Sequence, residues 1–373
     1  MLNNNYDDIR PYCDNEVSDV LKSLLKYPAF PKAIEALLGV NKPLDADELL
    51  QVTDIFNNTK TVSEFQEKFI IAKLLHPIFS KTITELTADG LENFSLDSAC
   101  LFISNHRDII LDPTVVNYYL FKNYGITTEI AFGDNLLINP FVSAIIRLNK
   151  SFIVKRNLPL AKQLTESVRL SEYIWNSLEM GNSIWIAQRE GRAKDGNDVT
   201  NPALLSMLSL AKRNEKISVS EMCNRIKIIP VSISYEIDPC DSIKALDLYR
   251  SETESEHKKS KSDDLRSIVK GIGGNKGRVH CSFSAAIQGE FENEKKLAEK
   301  IDYAIQSKYK LWANNYAAYD ILYNTNKYSD FYKDEDKLFI LKRFEFLKPE
   351  VKHYALLAYS NPVKNLESIK SNL

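Results

Sequence analysis

The sequence predicts an α/β protein: a mixed, mainly parallel sheet flanked by helices, with helical extensions at the amino and carboxyl ends. Two observations carry this. Short β-prone runs alternate with helical stretches through the middle of the chain, and apolar residues recur at helical spacing before and after that middle.

From about Asn15 to Leu91 the helical spacing is seen in Val20, Leu21, Leu24 and Leu25, and again in Phe65, Phe69, Ile70, Leu74, Leu75 and Ile78. Interruptions at Pro28, Pro31, Gly39 and Pro43 divide this region into several helices. Strands are expected at Ala99 to Ser104, Thr127 to Ala131, Ser151 to Val154, Ile184 to Ala187, Ile226 to Ser234 and Arg278 to Phe283. A helix from about Pro159 to Met180 separates the third and fourth runs, with Pro159 in its first turn, where a missing N–H does no harm.

Between Asp238 and Asn275 the chain turns polar, and Ser251 to Asp264 mixes charge with serine, the composition of a mobile insertion. After Phe291 helical spacing returns through Leu297, Ile301, Ile305 and the aromatic-rich stretch Tyr309 to Trp312. The expected division is a helical region over 1–95, an α/β domain over 96–290 that carries the insertion 238–275, and a helical region over 291–373. No internal repeat is seen.

Composition narrows the classes of function. The 373 residues are 44% hydrophobic and 26% charged, which is globular and leaves room for a sizeable core. Lys plus Arg number 48 and Asp plus Glu 50, so attraction to phosphate must come from local clusters, and a nucleic-acid partner is not suggested. Cys13, Cys100, Cys223, Cys240 and Cys281 show no pair at metal-ligand spacing and read as free thiols in a reducing compartment. The start Met1 to Asp8 has neither the positive nor the apolar part of a signal peptide, and no run of roughly 18 apolar residues follows. Contact with a bilayer would therefore be peripheral.

Three segments deliver chemistry at the ends of strands. Leu101-Phe102-Ile103-Ser104-Asn105-His106 puts an imidazole at a strand's carboxyl end, where open α/β sheets keep their sites. Imidazole titrates near neutrality and suits a general base, and a carboxylate on its other nitrogen would fix the tautomer. Asp108 and Asp112 are the candidates. Ser151-Phe152-Ile153-Val154-Lys155-Arg156 delivers two cations, and Ile184 to Ala187 delivers Gln188-Arg189-Glu190-Gly191-Arg192, where glycine permits close approach and arginine offers a fork to phosphate oxygens. Each alone also reads as an ordinary polar turn.

Their order, followed by Ile228-Ile229-Pro230-Val231, resembles the glycerophospholipid acyltransferase superfamily, whose glycerol-phosphate and lysophosphatidate members share four blocks. Asn105 and His106 with a later Asp look like the first block, Ser151 to Arg156 the second, Arg189 to Arg192 the third and Ile229 to Val231 the fourth; Leu204 to Met207 also looks like the glycerol-phosphate branch. The resemblance covers roughly 98–236. It implies acyl transfer from an acyl thioester, on coenzyme A or acyl carrier protein, to a hydroxyl of glycerol 3-phosphate, with a lysophospholipid as the alternative acceptor. His106 would be the base and Asp112 its partner, while Arg107, Lys155, Arg156, Glu190, Gly191 and Arg192 would bind substrate. No cofactor or metal is implied, and the expected place is the cytoplasm, at the inner face of the membrane.

One departure stands out. The family spaces its His and Asp by four residues, whereas five lie between His106 and Asp112. On a regular helix one added residue turns a side chain by about 100°. Either a π-bulge restores the geometry or Asp108 takes the role; Pro113, following Asp112 as a turn requires, favours Asp112. The same departure supports a rival reading as a non-catalytic phospholipid-binding protein. His76, His257, His280 and His353 match no block and are expected to be structural.

Overall fold

Helices begin and end where the sequence supplies caps. In the computed structural model, which describes residues 4–39, 43–156, 158–254 and 261–371, five helices open the chain: α1 (Asp14–Leu25), α2 (Phe30–Leu38), α3 (Ala46–Asn58), α4 (Val62–Phe65) and α5 (His76–Thr82). Asp45 and Glu48 form a reciprocal capping box at the start of α3, each side chain accepting from the other's backbone N–H (2.8 and 3.0 Å). Gly39 ends α2 in the left-handed region at φ 62°, where a side chain would be strained. Between α4 and α5 runs a π-helix, Gln66–Leu75.

The helical reading of the amino-terminal region fails at its end. Ile83–Asp89 is a strand, β1, paired in parallel with β7 (Gly277–Phe283). Lying at the sheet edge, it exposes Thr84, Glu85 and Asp89 and so lacks the apolar run that marks buried strands. The other strands are β2 (Leu101–Ser104), β3 (Glu129–Gly133), β4 (Ser151–Val154), β5 (Ile184–Ala187) and β6 (Ile228–Tyr235). The order is β1-β7-β6-β2-β5-β3-β4, with every neighbouring pair parallel except β6 and β7. The predicted mixed, mainly parallel sheet is therefore the one observed.

Helices α6 (Leu111–Tyr124), α7 (Pro140–Leu148), α8 (Leu160–Glu179), α9 (Pro202–Ser209) and α10 (Val219–Ile226) connect β2 to β6. Pro159 is the cap of α8 and not part of its first turn. Strand side chains alternate between two cores. Phe102, Trp185, Ile229 and Val231 join the amino-terminal helices, α6 and α7, while Leu101, Ile103, Ile184, Ile186 and Ile228 join α8, α9, α10 and α13 (Glu294–Ser307).

The expected mobile insertion is largely helical: α11 (Asp241–Thr253) and α12 (Lys261–Gly273) fill it, and only 255–260, with His257, lie outside the described residues. Its order comes from buried polar contacts that composition does not reveal, such as Lys244 and Ser267. The chain ends in α13, α14 (Ala313–Tyr323), α15 (Asp334–Arg343) and α16 (Pro349–Ser371), which with α11 build a third core around Ala317, Ala318, Phe344, Ala355 and Tyr359. Tyr309 to Trp312, read as helical, is instead the link between α13 and α14. Among the described residues no helix is long and apolar enough to cross a membrane.

Candidate active site

Where β2 ends, its pairing with β6 is carried on by a side chain. The Asn105 amide donates to the Ile233 carbonyl (2.9 Å) and accepts from the Ile233 N–H (2.8 Å), imitating one more residue of ladder. The following loop is pinned at each step: the His106 carbonyl accepts from Ala193 N–H (2.8 Å), and the Arg107 carbonyl from Lys244 Nζ (2.6 Å). His106 is thereby aimed into the space beyond the strand ends, its ring edge-on to Trp185 with centroids 6.2 Å apart.

His106 Nδ1 lies 2.9 Å from Asp112 Oδ2. The same oxygen accepts from the N–H groups of Arg107 (2.6 Å) and Asp108 (2.9 Å), and Oδ1 accepts from the Tyr235 hydroxyl (2.9 Å). Four donors leave this buried carboxylate no freedom to turn. Burial, and then the charge of Asp112, push the Tyr235 phenol well above its usual range, so it stays a donor.

The added residue of the motif is absorbed without a π-bulge. The loop runs irregularly to Ile110, α6 starts at Leu111, and Asp112 sits in its first turn. Asp108 does not touch the ring; its Oδ1 accepts from Ile110 and Leu111 N–H (2.9 and 2.8 Å), capping that turn. Burial and the neighbouring Asp112 raise its pKa, against the pull of these N–H groups and of Arg192. The geometry thus pairs His106 with Asp112.

His106 opens on a cavity of about 490 Å³ over the carboxyl ends of β3, β4 and β5. Its walls are mostly apolar, including Phe132, Phe152, Leu170, Trp185, Leu204 and Met207, and its polar residues include Lys155, Arg156, Arg189 and Glu190. Residues 85–234 match the family model described as Acyltransferase. The chain carries an acyltransferase domain. That match spans all four sequence blocks that carry the resemblance to the glycerophospholipid acyltransferase superfamily. Among solved structures, the 1-acyl-sn-glycerophosphate (LPA) acyltransferase PlsC of Thermotoga maritima is similar at 13% identity and a TM-score of 0.36, over 78% of this chain and 91% of that one. No curated protein matches the sequence.

Within the acyltransferase domain the expected substrate-binding residues separate into two groups. Lys155, Arg156, Glu190 and Gly191 line the cavity with His106. Lys155 pairs with Asp8 (2.7 Å) and Glu166 (3.4 Å), and Arg156 lies 3.5 Å from Glu190. Arg107 and Arg192 do not line it. The Arg107 guanidinium is buried against Asp198 (Nη2 to Oδ2, 2.5 Å), donates from Nη2 to the Gly196 carbonyl (3.2 Å) and lies 5.3 Å from the Tyr309 ring, so its contacts are with the protein interior and not with the cavity. Burial works against its charge, but Asp198, Tyr309 and Asp238 together outweigh that and raise its pKa. Arg192 is buried because Gly191, at φ 72°, turns the chain between it and the exposed Glu190.

Sequence reasoning missed Trp185, Tyr235, Asp198 and Lys244. Tyr235 ends the strand that holds the fourth block, a position that could have marked it; the other three carry no local signal.

Proposed function

We propose that the protein moves a fatty acyl group from an acyl thioester, on coenzyme A or acyl carrier protein, to a hydroxyl of glycerol 3-phosphate in phospholipid synthesis. The observation that carries this reading is the His106–Asp112 pair opening on a deep apolar cavity that also bears Lys155, Arg156 and Arg189. With Nδ1 held by Asp112, Nε2 is the nitrogen left to take the acceptor's hydroxyl proton as its oxygen attacks the thioester carbonyl. The tetrahedral adduct then expels the thiolate, which takes the proton from the imidazolium, giving ester and free thiol. No acyl-enzyme is required. Asp112 stabilises the imidazolium in between.

The apolar wall would hold the acyl chain, and the three cations, with Glu190 and Gly191 beside them, would hold the glycerol phosphate, so that orientation supplies much of the rate. A glycerol phosphate without a chain of its own suits a cavity of about 490 Å³ whose apolar wall is given to the acyl chain of the donor. A lysophosphatidate acceptor would need space for a second chain. The intact His–Asp pair weighs against a non-catalytic lipid-binding role. A peripheral station at the inner face of the membrane, where the product belongs, fits the reading.

The test supplies acyl-CoA or acyl carrier protein with glycerol 3-phosphate or lysophosphatidate and follows free thiol. Release that requires glycerol 3-phosphate supports the reading; release with lysophosphatidate alone would overturn the choice of acceptor, and no release with either would overturn the reaction.

A further inference from the structure

The inserted helices touch the loop that carries His106 at two separate points. From α11, the buried Lys244 pairs with Asp238 and donates to the Arg107 carbonyl (2.6 Å). From α12, Gly271 lies so close to Asp108 that a β-carbon there would overlap the carboxylate Oδ2. The two helices are joined by Cys240 Sγ, which donates to the Ser267 carbonyl (3.3 Å).

Nothing in the backbone of α12 asks for glycine at 271. Its φ is not left-handed, and glycine inside a helix costs up to about 1 kcal/mol relative to alanine. Gly273, in the same helix, faces open space. What calls for a missing side chain at 271 is the approach of Asp108.

Asp108 is a sensitive point to press. Its carboxylate caps the first turn of α6, which carries Asp112, and its N–H shares Asp112 Oδ2 with His106. Pushing it aside moves the helix start, and with it the carboxylate that orients the base.

We propose that the insertion, α11 with α12, is a positioning element for the His106–Asp112 pair, acting through Gly271 on Asp108 and through Lys244 on the Arg107 carbonyl. Its kinetic consequence rests on the acyl-transfer reading above; its structural consequence does not.

The experiment compares full-length Gly271→Ala and Gly273→Ala with the parent for kcat, KM, Tm and the far-downfield NMR proton of the His106–Asp112 hydrogen bond, recognised by its loss in Asp112→Asn. Gly271→Ala should lower kcat by about tenfold or more at nearly constant KM and shift or broaden that proton, as expected when a base is misplaced by a fraction of an ångström. Its Tm should fall only modestly, since the helix preference of alanine offsets part of the crowding against the buried Asp108. Gly273→Ala should match the parent. Repeated in an Asp108→Ser background, which shortens the pressed side chain but keeps an acceptor oxygen for the cap, Gly271→Ala should cost much less, the non-additivity of residues in contact.

Parent-like kcat and an unmoved proton in Gly271→Ala would overturn the proposal, as would an equal cost in both backgrounds. If the parent releases no thiol, the acyl-transfer reading fails, and the proton resonance alone decides this one.

Discussion

Asp112 Oδ2 meets His106 Nδ1 at 2.9 Å although the two stand six positions apart in the chain. The loop before α6 takes up the extra residue, and Asp108 secures it by capping the helix start. The unusual spacing therefore leaves the pair intact, and the consequences can be measured.

His106→Ala should lower kcat for thiol release by about 10²–10⁴, the range supplied by positioned acid–base groups. Asp112→Asn should lose a comparable factor, because an amide cannot accept from all four donors that now converge on the carboxylate. Asp108→Asn keeps an acceptor oxygen for the cap and should lose less than about tenfold. Equal losses for the two Asn variants would refute the pairing.

Tyr235→Phe removes the one side-chain donor on Asp112 Oδ1. An acceptor left buried without its partner costs about 1–3 kcal/mol, so Tm should fall modestly. The freed carboxylate should lower kcat more than it raises KM, which steady-state kinetics will show.

The two arginines nearest the histidine and the cavity should part company. Arg107→Leu leaves Asp198 as a buried charge without its partner and should cost about 3–5 kcal/mol of stability by denaturant unfolding. Arg156→Ala should leave Tm almost unchanged and raise the KM for glycerol 3-phosphate by about tenfold, the worth of one charge-assisted contact. Gly133→Ala should act in the same direction, since its β-carbon would lie 2.5 Å from Asn135 Oδ1 and 2.8 Å from Arg156 Nε and force both side chains aside.

Asp302 offers a test by pH. Burial pushes its carboxyl up to about 6, against the hydrogen bonds it receives from Thr200. The folded protein therefore binds this proton more tightly than the unfolded chain does. The stability tied to the proton is complete below the unfolded value of 3.8 and lost as pH rises through about 6. Asp302→Asn should thus be more stable than the parent by roughly 2–3 kcal/mol at pH 7.5, with the gap closing towards about pH 4. A Tm difference that stays flat between those pH values would contradict this.

The buried strands and the site's main pair were legible because their signals are local. Leu101 to Ser104 and Ile228 to Val231 are apolar runs of strand length, and His106 and Asp112 sit a few residues apart at a strand exit. What escaped depends on partners far along the chain. Asp198, which claims Arg107, lies 91 positions away, Tyr235 lies 123 positions from Asp112, and Lys244 lies 137 from the carbonyl it holds. Side-chain direction was equally hidden: Arg107 looked like a neighbour of the base, yet it leaves the loop on the other side. The edge strand Ile83–Asp89 was taken for helix because its mixture of polar and apolar residues, with no run of either, follows directly on a helical stripe.

That edge strand also bears on how the chain is made. Its partner across the ladder, such as His280 opposite Thr87, comes 193 residues later. At ordinary rates of translation, about 5–20 residues per second, Ile83–Asp89 waits roughly 10–40 s on the ribosome before a neighbour exists for its unpaired N–H and C=O groups. The nascent chain is consequently most open to aggregation and chaperone capture before β7 has emerged, and a ribosome stalled short of Gly277 would hold that strand open for as long as the stall lasts.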